Sequence, residues 1–224
     1  MDREQATQQT VCRRSIGAPV ELREDGDGQS TISGHAAVFY DGTAGTEFKL
    51  WENTVERIMS GTFDRALKEK DDVRGLFNHD PSLVLGRTSA NTMDLTIDKR
   101  GLRYDIRPGD TTIGNDVVSH IARGDVTGSS FAFRITDETW RMEDELDIRE
   151  IRGVELFDVG PVTFPAYTGA DTGVRAEARS SWEKWKGATG QPAEMKDAGD
   201  EAFDKWHRET KERIAADLER TAGK

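Results

Sequence analysis

The 224 residues include 35% hydrophobic and 33% charged side chains, with a formal charge of −11 and a single cysteine, Cys12. That length holds one core domain with appendages, the polar balance leaves part of the chain outside a tight core, and one cysteine excludes an internal disulfide framework or a multi-cysteine zinc site. The acidic excess sits in residues 1–174, with 20 Lys/Arg against 31 Asp/Glu, while residues 175–224 hold 11 of each; such a body disfavours nucleic acid as ligand and points to protein partners.

In chain order, the start MDREQATQQTVCRR lacks the apolar core of a secretory signal, and no stretch approaches the roughly 18 apolar residues of a membrane span. A soluble, non-exported chain in a reducing compartment is expected. Residues 1–30 end in the turn-forming REDGDGQS and have little apolar periodicity, so they read as an N-terminal arm. From Thr31, TISGHAAVF is β-prone, and KLWENTVERI follows with Leu50 and Trp51 expected in the core. A short helix follows, with Thr62 as cap and Phe63, Ala66 and Leu67 on one face. Residues 73–77, 83–85, 92–97 and 102–106 are short apolar segments separated by turn signals, the pattern of an antiparallel meander.

A second helix is predicted from about Thr112 to Arg123, where Ile113, Val117, Val118 and Ile121 form one stripe and Gly124 supplies the stop. Two strands follow at 129–136 and 148–159, and the compact region closes near PVTFPAYTG, where Pro161 and Pro165 bracket an extended segment. Residues 175–224 form a charged helical tail with helices at 176–186 and 201–218, the second bearing a narrow apolar face of Phe203, Trp206, Thr210, Ile214 and Leu218. Such a face suits docking on a partner helix or on the domain's own flank.

The chemistry centres on RGDVTGSSFAF, where Gly128 permits a close backbone approach beside Ser129 and Ser130. Serine needs a neighbouring base, and histidine has the pKa for that task. His79 in NHDPS, at the end of an apolar run, is the candidate, while a polar turn that uses the imidazole as a cap is the bland alternative. An imidazole base needs a carboxylate to hold its tautomer; Asp158 and Glu155 both lie in or beside a strand otherwise rich in apolar residues. His79 with Asp80, and His35 or His120, are conceivable metal ligands, but no two His share a helix face and no HExxH or paired-Cys pattern occurs, so neither metal nor cofactor is expected.

The ordered series GHAAVF (34–39), SGTFDRAL (60–67), VRGLFNHDPSLVLGRT (73–88), GNDVVSHIARGDVTGSSFAF (114–133) and LFDVGPVTFPAY (156–167) resembles the prohead protease family of tailed bacteriophages, serine peptidases distantly similar to herpesvirus maturational proteases. The resemblance spans residues 31–167. It implies His79 as the family's histidine, Ser130, directly before Phe-x-Phe, as its serine, and Asp158 as its acidic position. Asp158 replaces the family's usual Glu, and Gly160 its usual Ser. The herpesvirus enzymes use a second histidine as third member, which brings His120 into contention. His35 stands where the family has an aromatic residue, implying packing, and His207 is expected to be solvated in the tail.

The expected architecture is α+β: a mostly antiparallel β-barrel with flanking helices at 31–174, preceded by the arm at 1–30 and followed by the helical tail at 175–224. As the resemblance implies, Ser130 attacks a peptide carbonyl, His79 moves the proton and Asp158 orients the ring. The sequence does not place an oxyanion hole; backbone N–H groups near Gly128 to Phe131 are candidates for it. The implied substrates are scaffold and major capsid protein precursors, trimmed in the host cytoplasm inside the assembling prohead. Self-cleavage, a homo-oligomer and a tail that binds scaffold or is removed on maturation are compatible expectations. The competing expectation is a catalytically inactive assembly or scaffold protein with the same fold.

Overall fold

The computed structural model describes residues 11–16, 19–24, 29–164 and 172–190. Its strands are β1 Cys12–Ile16, β2 Glu21–Glu24, β3 Ser30–Val38, β4 Glu47–Trp51, β5 Thr54–Ile58, β6 Arg74–Leu76, β7 Val84–Arg87, β8 Met93–Ile97, β9 Gly101–Ile106, β10 Gly128–Glu143 and β11 Leu146–Val162. The α-helices are α1 Asp64–Lys68, α2 Thr112–Arg123 and α3 Thr172–Thr189. Strand-rich with few helices, the chain is α+β. Among the described residues no helix is long and apolar enough to cross a membrane.

The strands form two sheets. One runs β1-β10-β11-β5-β4, with β6 also against β11 and β7 against β6; the other runs β2-β3-β9-β8. Among the described strands only the β11–β5 and β11–β6 pairings are parallel. These pairings do not close a ring, so the described strands are two packed sheets, and a closed barrel is not among their connections. The expected meander is divided between them, β6–β7 in one sheet and β8–β9 in the other. Residues 1–30, read from sequence as an arm, contribute β1 to the first sheet and β2 to the second.

Alternation of side chains along a strand puts every second residue toward the facing sheet. Ile32, Leu102, Tyr104 and Ile106 of the smaller sheet thereby join Phe131, Phe133, Val154 and Leu156 of the larger one in a single buried cluster, each large apolar side chain contributing about 1.5–3 kcal/mol. Phe131 stacks on Phe133 at 4.6 Å, and Phe63 meets Phe131 edge-on at 5.7 Å. Gly34 allows β3 to approach β10, because a Cβ there would lie 2.7 Å from both Ser129 Oγ and Tyr104 Oη.

The second helix forms as its sequence predicts, with the Thr111 hydroxyl accepting from the Gly114 N–H and Gly124 in the left-handed conformation at φ 80°. Thr62 is no cap for α1: its hydroxyl lies 2.6 Å from the Met59 carbonyl and 2.8 Å from that of Ile151, tying the turn to β11. The first tail helix is present as α3, which docks on the β10–β11 hairpin. Trp182 Nε1 donates to Asp147 at 2.7 Å, Lys186 pairs with Asp147 at 2.9 Å, and Trp185 stacks on Trp140. Residues 201–218, His207 and Pro165 lie outside the described residues.

Beneath α3 runs a chain of buried charge. Arg14 forks onto Glu56 at 2.6 and 2.9 Å, Glu56 also accepts from Arg149 at 3.2 Å, and Arg149 reaches Glu138 and Glu177. Burial raises the Glu56 pKa, but Arg14 and Arg149 outweigh it and hold the carboxyl below its ordinary 4.5. A depressed folded-state pKa gives stability that is present above the unfolded value and lost as pH falls through the folded one. The melting temperature should therefore drop as pH falls below about 4.5. Glu56→Gln should melt lower at neutral pH, by about 3–5 kcal/mol for a broken buried pair, yet lose less on acidification. Parallel acid slopes for the two proteins in a thermal pH series would refute this.

Candidate active site

Ser130 and Ser129 are adjacent on β10, so they face opposite sides of the sheet. Ser129 points inward, where its hydroxyl is 2.8 Å from Tyr104 Oη, and burial raises the Tyr104 phenol well above its usual pKa. Ser130 shares the other face with Asp158: its register partner is Gly160, two residues along β11 from Asp158. Between them lies the His79 ring, with Nε2 2.6 Å from Ser130 Oγ and Nδ1 2.5 Å from Asp158 Oδ1. A carboxylate only accepts, so Nδ1 carries the proton in that bond and Nε2 is left facing the hydroxyl. The side chains of His79 and Asp158 are each 12% exposed, and Ser130 is fully buried.

The NHDPS turn holds the ring in place. Asn78 and His79 are both left-handed, at φ 55° and 58°, a conformation in which Asn and His are more frequent than most side chains. The turn is pinned to the end of β11: the Asn78 N–H donates to the Pro161 carbonyl at 3.1 Å, Nδ2 donates to Thr163 Oγ1 at 3.0 Å, and Oδ1 accepts from the Thr163 N–H at 2.9 Å. Asp80 stabilises the same turn by accepting from the Ser82 N–H and hydroxyl, contacts that hold its pKa below the ordinary range.

Gly160 permits the approach. At φ 159° its backbone is nearly extended, but a Cβ there would lie 2.0 Å from the Leu76 carbonyl oxygen on β6. That contact admits no side chain at this position. Leu76 is three residues before His79, so Gly160 is part of what sets the ring's position.

The other sequence candidates are elsewhere. Glu155 pairs with Arg134 at 3.0 Å and is 39% exposed; His120 lies 3.2 Å from Asp125 in the last turn of α2; and His35 lies 2.8 Å from Asp98. Among the described residues no three His, Cys, Asp or Glu side chains converge in a group able to hold a metal ion. Burial pushes the Cys12 thiol up to about 12, so it is not a nucleophile at neutral pH. Sequence reasoning missed Arg14, whose carbonyl oxygen accepts from the Ser130 hydroxyl at 2.9 Å. The available signal was the alternation of Val11, Cys12, Arg13 and Arg14, masked because one buried position is charged.

No curated protein matches the chain. The solved structure of the bacteriophage T4 capsid assembly protease, gp21, is similar at 15% identity and a TM-score of 0.46, with 70% of this chain and 99% of that one covered. The family model for caudovirus prohead serine proteases matches residues 18–184, a span containing His79, Ser130 and Asp158. With most of its length matched, this chain belongs to the caudovirus prohead serine protease family.

Proposed function

We propose that the chain is a serine endopeptidase that trims scaffold and major capsid protein precursors during prohead maturation. Ser130 Oγ attacks the peptide carbonyl while His79 Nε2 takes its proton, and the tetrahedral intermediate collapses to an acyl-enzyme as the imidazolium protonates the leaving amine. Water then enters, gives a proton to the same nitrogen and hydrolyses the ester. Asp158 accepts from Nδ1 and keeps Nε2 available throughout. The observation that carries this reading is the hydrogen-bonded line of Asp158, His79 and Ser130 at 2.5 and 2.6 Å. Its test is incubation of the purified chain with scaffold and capsid precursors and mass mapping of new termini; precursors left intact would reject it.

In this reading the protease domain is residues 31–174 joined by β1 and β2, the site of action is the assembling shell in the host cytoplasm, and residues 175–224 bind scaffold or are removed on maturation. Gly160→Ala would force β6 away from β11 and shift His79. The expected result is about 1–3 kcal/mol lost from overpacking and trimming slowed about a hundredfold by misplacement of the base. Thermal melts and trimming rates measured on the same sample check both. One observation favours the inactive assembly-factor reading: Ser130 has no exposed surface.

A further inference from the structure

A serine that attacks a peptide must meet its carbonyl carbon within about 3–3.5 Å, yet Ser130 is enclosed. Against it lies β1, antiparallel to β10 with Ser15 opposite Ser130 and Arg14 opposite Phe131. The Ser130 hydroxyl donates to the Arg14 carbonyl. A hydroxyl has one proton, so the Arg14 carbonyl at 2.9 Å competes for it with His79 Nε2 at 2.6 Å. What occupies the nucleophile is thus a peptide carbonyl on an extended strand, the same group a substrate presents.

β1 is an edge strand, paired with β10 and with no other described strand. Pairing on both sides leaves β10 no free edge at Ser130; removing β1 would free alternate N–H and C=O groups there, the template that an added strand uses. Its interior anchor is Arg14, forked onto Glu56 and set 6.0 Å from the ring centres of Phe48 and Phe133. Glu56 keeps Arg149 as a second cation, so the core charge retains a partner when Arg14 leaves. Arg149 also holds Glu177 of α3, and Cys12 Sγ lies 3.9 Å from the same carboxylate, so the seat of β1 is tied to the tail helix.

We propose that β1 is a displaceable strand occupying the substrate's place: an extended segment of the precursor adds to the same edge of β10, and the Arg14–Glu56 pair controls how often β1 vacates it. The inference rests on Ser130 being the nucleophile, and it reconciles that role with the residue's burial.

The test is the rate at which a fluorophosphonate forms an adduct on Ser130 of the full chain, alongside amide hydrogen exchange of residues 12–16. Arg14→Ala should raise both exchange and labelling about tenfold to a hundredfold, the worth of a lost charge-assisted bond. Arg14→Lys, which keeps a cation beside Glu56 and so protects the fold, should fall between that variant and wild type. Faster exchange with unchanged or slower labelling in either variant would overturn the proposal while leaving Ser130 as nucleophile. Faster exchange with no adduct at Ser130 in any variant would overturn the nucleophile assignment and the proposal with it.

Discussion

Ser130→Ala should abolish precursor trimming, with a loss of about 10⁴- to 10⁶-fold, and His79→Ala should match it. In the proposed mechanism the hydroxyl supplies the attacking oxygen and the imidazole takes its proton, so neither retains its role without the other. Stability should fall by only about 1–2 kcal/mol in Ser130→Ala, the cost of leaving the Arg14 carbonyl without that donor. Ser129→Ala is the matched control. Its hydroxyl faces Tyr104 in the core, so trimming should persist; loss in that variant with a full rate in Ser130→Ala would transfer the nucleophile to the neighbouring residue. The measurement is the rate of appearance of new precursor termini, with melting temperatures taken on the same samples.

Asp158→Asn should slow trimming by about 10³- to 10⁴-fold without unfolding the domain. An amide can turn its NH₂ toward Nδ1 and select the tautomer in which Nε2 carries the proton, and a ring in that form cannot accept from Ser130. His120→Ala should leave the rate within about twofold, because that ring is half exposed and its partners are Asp125 and Arg123, with neither Ser130 nor His79 among them. A full rate in Asp158→Asn together with loss in His120→Ala would move the third role to the helix.

How much of this was legible in the sequence depended on whether apolar pattern or charge marked the element. The α2 stripe and its Gly124 stop needed only local periodicity, and helix and observation agree residue for residue. The β10–β11 hairpin runs far past its expected ends, which stopped where the mostly charged residues 137–147 begin; Arg141 with Glu150 and Arg149 with Glu138 hold that part, and α3 covers it. β1 escaped notice for a similar reason. Arg14 is as buried as a core residue, but only because Glu56, distant in sequence, lies against it. A charge whose partner is far along the chain reads as solvated.

The site was reached through ordered motifs and not through spacing. Periodicity alone left Ser129 against Ser130 and Glu155 against Asp158 open, since a one-residue change in register exchanges the two faces of a strand. A register shift between Ala132 and Phe133 further defeats counting along the hairpin. What decides the faces is the packing of β3 on β10, which takes Ser129 inward to Tyr104, and the absence of a side chain at Gly160, which brings the NHDPS turn over Ser130.

The most direct measurement is a double-mutant cycle on precursor trimming by wild type, Ser130→Ala, His79→Ala and the double variant. If the two side chains act as one unit, the double variant trims at the rate of either single one, because the second substitution removes nothing that still operates. Losses that multiply, so that the double variant is slower than each single one by the other's full factor, would mean that serine and histidine work independently and would contradict the shared site.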